Sequence, residues 1–374
     1  MLNNNLIYRS YYEWWKNIDK TIFLIIVILF ALGLFFSLAS TSLIASDKLD
    51  TNSYFFFFRH LIYVCLGICM IIFFSSLSQK NLFKISILLF FVFLFLLALV
   101  PIIGVEIKTA KRWLDLFFLP RFQPIELLKP FIMVLLATIL SSKKNFHIHY
   151  KYFLSFVTIL PIALLLMMQP DIGQTLLIFL TWLSLIFISG ISLVVFFMFF
   201  GTILSLLLYL IFFIPKFEYV KERIESFFNP VSGTHNFQSD KASEAIINGG
   251  FFGKGIGEGV LKNRVPEAHT DYIVAVISEE FGAIIIIVLM MIFLFFIYQV
   301  FKKLYFEKSN KVRLVLVGSI TIILLQALIH IGVNIRLFPT TGMTLPFLSY
   351  GGSSIVGTAV LCGIILNLTK RKIN

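Results

Sequence analysis

The residues that could carry out chemistry gather in a short polar segment directly before a long apolar run. His269, Thr270 and Asp271 stand in this segment, and the apolar run begins at about residue 273. A carboxylate at the edge of an apolar region is partly removed from water, which raises its pKa toward the range of a general base. An acid at the start of a helix is also stabilised by the helix dipole without any catalytic role. The spacing does not choose between a catalytic Asp271 and a structural one.

A second group of residues is basic and aromatic. The segment 105–124 carries Lys108, Lys111, Arg112 and Trp113 between two apolar runs. A guanidinium group binds phosphate and carboxylate oxygens through paired hydrogen bonds. The composition of this segment therefore predicts contact with an anionic ligand.

Two charged residues lie inside an apolar run, where a charge is costly. Glu126 and Lys129 are three residues apart on one face of a helix, so they can pair with each other. A buried structural pair and a functional pair fit this spacing equally well. In another run, Gln326, His330 and Asn334 recur every four residues and predict a polar stripe that faces the helix bundle. We favour a packing role for this stripe.

The glycine-rich run 253–259 has only a superficial likeness to a nucleotide-binding loop. It matches neither GxGxxG nor GxxxxGK[ST], and no strand–turn–helix pattern surrounds it. We therefore favour a tightly turning outer loop over a phosphate cradle.

The elements that must position these residues are membrane-spanning helices. Of the 374 residues, 59% are hydrophobic and 13% are charged, whereas soluble domains have about 25% charged residues. A membrane span needs about 20 apolar residues. The sequence predicts an all-α polytopic membrane protein with about ten spans. The candidate spans are 22–42, 61–77, 83–104, 125–141, 153–168, 172–189, 191–214, 273–301, 313–333 and 350–368.

The distribution of Lys and Arg predicts the orientation of these spans. With both termini in the cytoplasm, the inner segments hold 16 of the 31 Lys and Arg residues and only three acids, as the positive-inside rule requires. The net charge of +12 is therefore a topogenic signal and not a nucleic-acid-binding surface, so no nucleic acid is expected as a partner. The positive charge retained in the outer segment 105–124 indicates an anionic ligand at the outer membrane face.

One connection between predicted spans is far longer than the others. Residues 215–272 form a polar, glycine-rich outer loop of 58 residues between spans seven and eight. Long connections of this kind are usually functional or disordered. We treat residues 1–374 as a single integral membrane domain that contains this loop.

Five motifs of this chain resemble, in order and approximate spacing, those of the SEDS family of polytopic proteins in bacterial cell-wall synthesis. The motifs span residues 111–354 and so cover most of the chain. They are Lys111-Arg112-Trp113; Phe122-Gln123-Pro124 with Glu126; Gln169-Pro170-Asp171-Ile172-Gly173; His269-Thr270-Asp271-Tyr272 with Glu279-Glu280-Phe281-Gly282; and Leu345-Pro346-Phe347-Leu348-Ser349-Tyr350-Gly351-Gly352-Ser353-Ser354.

Within this family, the chain looks more like the FtsW branch than the RodA branch. The segment Phe338-Pro339-Thr340 and the run 249–259 carry this likeness. Two positions depart from the usual pattern of the family. Thr341 stands where many relatives have Lys, and Ile125 replaces a Ser whose hydroxyl could cap the following helix.

The resemblance implies an inverting peptidoglycan glycosyltransferase that polymerises lipid II, the undecaprenyl-pyrophosphate-linked disaccharide-pentapeptide. The reaction is expected at the outer face of the cytoplasmic membrane, during septal cell-wall synthesis. The resemblance implies Asp271 as the general base, and it implies Lys111 and Arg112 as the residues that bind the pyrophosphate. The other residues expected to contact substrate or line its cavity are Trp113, Gln123, Glu126, Lys129, His269, Thr270 and Ser349.

The resemblance also implies where the protein works and with what. We expect a multi-pass protein of the bacterial cytoplasmic membrane at the division septum, with both termini cytoplasmic. The expected partners are lipid II, a class B penicillin-binding protein (an FtsI-like transpeptidase) and divisome membrane proteins. No cofactor is certain; a divalent cation stays open, and no metal site is assigned.

Three other functions stay open. A RodA-type polymerase would perform the same reaction during cell elongation. A lipid II flippase would use polar residues inside the bundle, such as Glu126 and His330, as a path for the headgroup, and it would work without Asp271. A non-enzymatic divisome scaffold would use its outer loop to recruit a transpeptidase.

Overall fold

The structure is a computed structural model that describes residues 12–41, 54–107, 110–116, 119–142, 148–229 and 237–370. Lys108 of the basic segment lies outside the described residues. The two chain ends, which we expect in the cytoplasm, lie outside them as well.

Helices dominate the described part of the chain, and each of the ten predicted spans coincides with a helix. The helices are α1 (Lys20–Phe36), α2 (Phe55–Ser76), α3 (Gln79–Ile103), α4 (Pro124–Leu140), α5 (Ile148–Met168), α6 (Ile172–Ile188), α7 (Leu193–Phe213), α8 (Glu218–Phe228), α9 (Phe237–Gly249), α10 (Ile273–Phe306), α11 (Asn310–Asn334) and α12 (Gly352–Leu368). Seven are long and apolar enough to cross a membrane, and α6 and α12 are shorter apolar helices. The predicted polytopic helical architecture is confirmed.

Helix α11 lies near the centre of the bundle. In its most apolar stretch 72% of the residues are buried, against 17% for α7. The polar residues Gln326, His330 and Asn334 are all buried on α11. Polar side chains in a membrane helix must face protein because lipid offers them no hydrogen bonds. The predicted polar stripe therefore faces the bundle, as expected.

The described residues of the basic segment 105–124 form a small antiparallel sheet, which the sequence analysis did not predict. Its strands are β1 (Val105–Ile107), β2 (Ala110–Leu116) and β3 (Leu119–Phe122), in the order β1-β2-β3. Leu114 of β2 is fully buried and attaches the sheet to the bundle. Charged residues are poor strand formers and hide the alternation of β2, so the sequence alone did not reveal this sheet.

The outer loop 215–272 also contains regular structure within the described residues. It holds a 3₁₀ turn at Pro215–Phe217, then α8 and α9, and a second 3₁₀ turn at Leu261–Arg264. Gly249, the last residue of α9, lies so close to the backbone of Ser278 that a Cβ atom would overlap it. Helix α9 is thereby packed against the first turns of α10.

Helix α10 is broken at Gly282, whose φ of 82° suits glycine and few other residues. The glycine-rich run lies against this break. The N–H groups of Lys254 and Gly255 donate to the backbone carbonyls of Glu279 and Glu280, at 2.9 and 3.0 Å. The break and the loop thus complete each other's backbone hydrogen bonds.

The carboxylates of Glu279 and Glu280 are buried and hold the same loop. Glu279 accepts hydrogen bonds from the Leu261 N–H and from the Asn248 side chain, both at 2.9 Å. Glu280 accepts from the Gly257 N–H at 3.1 Å. These amide groups are bonded to carboxylates of the same chain, so the tightly turning loop is the better interpretation and the phosphate cradle is not supported.

The segments that we predicted to lie on the inner side meet at one end of the bundle. Lys303 near the end of α10 pairs with Asp19, which caps α1, at 2.7 Å. At the same end, Asn367 of α12 donates to the carbonyl of Leu77 after α2, at 2.6 Å. These contacts agree with a common inner face for the predicted cytoplasmic segments.

Candidate active site

A cavity of about 880 Å³ opens at the end of the bundle opposite the Asp19–Lys303 pair. Its walls come from β2, α8, the first turns of α4, α9 and α12, and the connecting segments 267–272 and 340–344. The charge distribution predicts that this end faces the outside. Six of the ten predicted site residues line the cavity: Arg112, Trp113, Gln123, Glu126, Thr270 and Asp271. The other four, Lys111, Lys129, His269 and Ser349, are not among its lining residues.

Asp271 lies two residues before the start of α10, on the cavity wall. Its backbone N–H donates to the carbonyl of Glu267 at 3.1 Å, and its carbonyl accepts from the Asn334 side chain at 3.1 Å. The polar stripe of α11 therefore has a positioning role that the sequence did not reveal. A Cβ atom placed on Gly342, across the cavity, would lie 3.6 Å from the Asp271 Oδ2.

The neighbouring Tyr272 is buried and lies next to Asp271. Burial raises the pKa of the Tyr272 phenol, and the negative charge of Asp271 adds to this effect. A phenol in this state stays protonated at neutral pH. The carboxylate of Asp271 is therefore the better of these two groups for accepting a proton.

Arg112 projects from β2 toward the same point beside Gly342. Its Nη1 would be 4.0 Å from a Cβ atom there, so Arg112 and Asp271 approach one region of the cavity. Its Nε and Nη2 donate to the carbonyls of Gln169 and Pro170, at 3.2 and 2.6 Å. Arg112 thus fastens the sheet to the end of α5 while it presents positive charge to the cavity.

Gln123 and Asp171 line the cavity next to Arg112. The Gln123 side chain donates to Asp171 Oδ2 at 3.1 Å, and that oxygen lies 3.9 Å from Arg112 Nε. Asp171 also caps α6 by accepting from the Gln174 N–H at 3.3 Å. Gln123 precedes α4, and its N–H donates to Ser353 of α12 at 2.9 Å. Gln123 therefore joins three elements at the cavity.

The segment that carries His269 and Thr270 is held in place by Ser349 and Tyr350. Ser349 is buried, and its hydroxyl donates to the carbonyl of Thr270 at 2.7 Å. The carbonyl of His269 accepts from the N–H of Tyr350 at 3.0 Å, and the His269 ring packs against Phe56. Thr270 lines the cavity, whereas His269 and Ser349 hold the Asp271 segment against the start of α12.

Glu126 and Lys129 form the pair that their spacing allowed, at 2.8 Å. Lys129 also donates to Gln326 at 2.8 Å, and Glu126 accepts from Gln174 at 2.7 Å. A buried ion pair is tolerated when further hydrogen bonds satisfy its remaining donors and acceptors, and each of these two residues has one such bond. Glu126 reaches the cavity wall, but Lys129 lies deeper, so the geometry favours a structural role for Lys129.

Two departures from the family pattern can now be located. Ile125 is fully buried in the second position of α4, and Gln123 occupies the N-cap. A hydroxyl at position 125 would therefore not be at the cap, which corrects our interpretation of that departure. Thr341 lines the cavity beside Gly342 and touches the start of α6 at Gly173.

Arg223 is a cavity residue that the sequence analysis missed. It lies on α8 and donates from Nη1 to the carbonyl of Thr340 at 3.0 Å. The signal was available in the helical spacing of apolar residues from Glu218 to Phe228, but we treated residues 215–272 as one polar, glycine-rich loop. Among the described residues, no group of three or more His, Cys, Asp or Glu side chains could hold a metal ion.

The fold and the site define a class of protein: a polytopic membrane protein with a large cavity at one end of its helix bundle, whose lining includes Asp271, Arg112 and Arg223. Residues 19–374 match the family described as "Cell cycle protein", which groups FtsW, RodA and SpoVE. The chain belongs to this family.

Similar proteins from other bacteria cover nearly the whole chain. A protein of Caulobacter vibrioides named "Probable peptidoglycan glycosyltransferase FtsW" is 30% identical, over 96% of this chain and 91% of its own length. A protein of Nitrosomonas europaea with the same name is 35% identical, over 92% of this chain and 90% of its own length.

Two solved structures share the fold. One, described as "Structural coordination of polymerization and crosslinking by a peptidoglycan synthase complex", aligns with a TM-score of 0.78 and 24% identity, over 94% of this chain and 97% of that chain. The other is the rod-shape-determining protein RodA of Thermus thermophilus, with a TM-score of 0.68 and 24% identity, over 94% of this chain and 96% of that chain.

Proposed function

We propose that the protein is a peptidoglycan glycosyltransferase that polymerises lipid II at the outer face of the cytoplasmic membrane. One observation carries this proposal: the Asp271 carboxylate and the Arg112 guanidinium approach the same point beside Gly342, in a large cavity. Glycosyl transfer from a lipid pyrophosphate needs a base for the acceptor and positive charge for the leaving group. The names of the FtsW relatives support the same reaction.

In the proposed reaction, the acceptor hydroxyl oxygen attacks the anomeric carbon of the donor sugar, on the face opposite the pyrophosphate. Asp271 accepts the hydroxyl proton as the new glycosidic bond forms. The bond between the anomeric carbon and the pyrophosphate oxygen breaks, and its electron pair leaves with the undecaprenyl pyrophosphate. Arg112 and Arg223 stabilise this negative charge, and the anomeric configuration inverts.

The biological setting is also part of the proposal. The FtsW names of the relatives favour septal synthesis over elongation, and the resemblance favours a class B penicillin-binding protein and divisome membrane proteins as partners. We propose that both termini lie in the cytoplasm, on the side of the Asp19–Lys303 pair. No cofactor is assigned, and a requirement for a divalent cation is an experimental question for the purified protein.

A reconstituted polymerisation assay tests this function. The purified protein is incubated with fluorescent lipid II, with and without its transpeptidase partner, and the glycan product is separated by size. Asp271→Asn is expected to stay folded but to lower the polymerisation rate by about 10²- to 10⁴-fold, the usual contribution of a general base.

The matched control is Glu258→Gln, which removes an acid from an exposed position of the same outer loop. Its rate is expected to equal that of the parent protein. Polymer formed by Asp271→Asn at the parental rate would contradict the assignment of the base.

The flippase alternative has less support from the geometry. The polar residues that a headgroup path would use have partners inside the bundle: Glu126 accepts from Lys129 at 2.8 Å, and His330 Nδ1 lies 2.6 Å from the carbonyl oxygen of Met343. Transport of labelled lipid II across vesicles that is unaffected by Asp271→Asn would favour the flippase instead.

A further inference from the structure

Five apolar side chains are exposed between the end of α9 and residue 260, in and around the glycine-rich run. We call them the outer apolar patch: Ile247, Phe251, Phe252, Ile256 and Val260. Phe252 is 79% exposed and Phe251 is 53% exposed. Exposed apolar clusters of this kind mark contact with a membrane or with another protein.

The patch is attached to α10 through its own backbone. The N–H groups of Ala283 and Ile284 donate to the carbonyls of Gly250 and Phe251, at 3.0 and 3.2 Å. Together with the bonds from residues 254 and 255 to residues 279 and 280, they hold the loop on both sides of the break at Gly282. The height of the patch is therefore the height of residues 279–284 on α10.

The distance of the patch from the inner end of the bundle can be counted along two helices, α10 and α1. Counting from Lys303, which pairs with Asp19 at the inner end, the break at Gly282 is about 31 Å away at 1.5 Å per residue. The ring of Phe281 also packs against Phe36 at the end of α1, with ring centroids 5.4 Å apart. Phe36 is about 25 Å from the start of α1. Because the hydrocarbon core is about 30 Å thick, the patch lies at its outer edge.

The backbone of residues 254–261 is suited to a position near the hydrocarbon because its polar groups are hydrogen-bonded within the protein. Non-helical backbone near the hydrocarbon is tolerated only where the protein satisfies its polar groups. The backbone carbonyls and side-chain carboxylates of Glu279 and Glu280 accept hydrogen bonds from four N–H groups within residues 254–261. The proposed reaction does not use Glu279 and Glu280. The hydrogen bonds that these buried acids accept from the loop explain their presence.

We propose that the outer apolar patch is an interfacial anchor that inserts Phe251 and Phe252 into the outer leaflet of the lipid bilayer. Segments that lie in the interface bury Phe and Leu side chains at the boundary between headgroups and acyl chains and carry Lys on the polar side, and the adjacent Lys254 is exposed. The patch continues the lipid-facing side of α10, where Ile287 and Met291 are half exposed. The anchor does not depend on the proposed catalytic activity.

The anchor would set the position of one cavity wall. Helix α9 begins with Phe237 and Gln238, which line the cavity, and ends next to the patch. Insertion of the patch fixes this helix at the membrane surface. The cavity is then held at the level where a lipid-linked headgroup emerges from the bilayer.

Depth-dependent fluorescence quenching tests the anchor. The full-length protein with Cys65 and Cys69 replaced by Ala is labelled with bimane at Phe252→Cys or at Ile256→Cys, and the same protein without an added Cys gives the background from the buried Cys362. It is reconstituted alone into phosphatidylethanolamine–phosphatidylglycerol nanodiscs. These contain lipids with a doxyl quencher either near the headgroup or deep in the acyl chain. Met291→Cys serves as the deep control, and Glu244→Cys, exposed on α9, serves as the aqueous control.

We expect the labels at positions 252 and 256 to be quenched at least twofold more by the shallow doxyl lipid than by the deep one. The label at 291 should show the reverse, and the label at 244 should respond only to aqueous iodide. Labels at 252 and 256 that respond to iodide and to neither lipid would overturn the anchor. Protection from iodide and from both lipids would overturn it too, because a second copy of the chain would then cover the patch.

Discussion

The basic side chains at or near the site differ in how many of their hydrogen-bond donors are already bonded within the protein and in whether they reach the cavity. Lys129 is enclosed by Glu126 and Gln326, and it therefore stabilises the bundle and does not reach the cavity. Arg112 gives two of its donor groups to the end of α5. Because a guanidinium has five N–H donors, Arg112 can still take part in binding a phosphate. Arg223 adds positive charge from a different wall of the cavity.

The contribution of Arg223 can be measured directly. Arg223→Ala is expected to lower kcat/KM for lipid II polymerisation by about 10- to 100-fold, since a hydrogen bond to a charged group contributes about 1.5–3 kcal/mol. Lys221→Ala, on the same helix but pointing to solvent with Glu225, is the matched control and should leave kcat/KM unchanged. Equal kinetics for the two variants would show that Arg223 does not contact the substrate.

At the scale of elements, two parts of the outer surface differ from a simple reading of the sequence. The basic segment forms a sheet, and the break in α10 at Gly282 is filled by the glycine-rich run. The strands of the sheet lack a regular pattern of apolar residues. The loop at the break is held by contacts between residues that are distant in the chain. Local periodicity reports which face of an element is buried, but it does not report which loop will complete its backbone hydrogen bonds.

Gly282→Ala tests the pairing between the break and the loop. Alanine is strained at a φ of 82°, and its Cβ would overlap the carbonyl oxygen of Phe251. Such strain costs about 1–3 kcal/mol, so amide exchange at Lys254, Gly255 and Ala283 should quicken about 5- to 150-fold. Hydrogen–deuterium exchange of the purified protein measures this rate.

The control for this variant is Gly201→Ala in the middle of α7. A Cβ atom at that position meets nothing within 4 Å, and alanine is the better helix former. Its exchange rates in the loop should match those of the parent. Unchanged rates in Gly282→Ala as well would mean that the pairing does not limit the opening of the loop.

At the scale of the whole molecule, the fold is consistent with the orientation that the charge distribution predicts. The predicted inner segments meet at the Asp19–Lys303 end, and the cavity opens at the other end. The net charge of +12 is concentrated in the segments that we place in the cytoplasm. Of the Lys and Arg residues in the predicted outer segments, Arg112 and Arg223 line the cavity, which is the physical reason to associate them with an anionic substrate.

Fusion proteins test this orientation. Green fluorescent protein fused after Asn374 or after Glu307 is expected to fluoresce, because both points should lie in the cytoplasm. Alkaline phosphatase fused after Phe228 should be active, since it should lie outside. Phosphatase activity from a fusion after Asn374 would reverse the orientation and with it the outer location of the cavity.

The sequence by itself determined the class of fold and the spans to within a few residues, and it predicted the orientation and the catalytic role of Asp271. These follow from local properties: apolar run length, the side on which Lys and Arg accumulate, and a run of motifs shared with a family. Only the tertiary structure decided that Arg223 reaches the cavity, that Lys129, His269 and Ser349 act as supports, and that the glycine-rich run completes α10. Those outcomes depend on which distant side chains share a hydrogen bond, and a periodic pattern in a single chain carries no information about such partners.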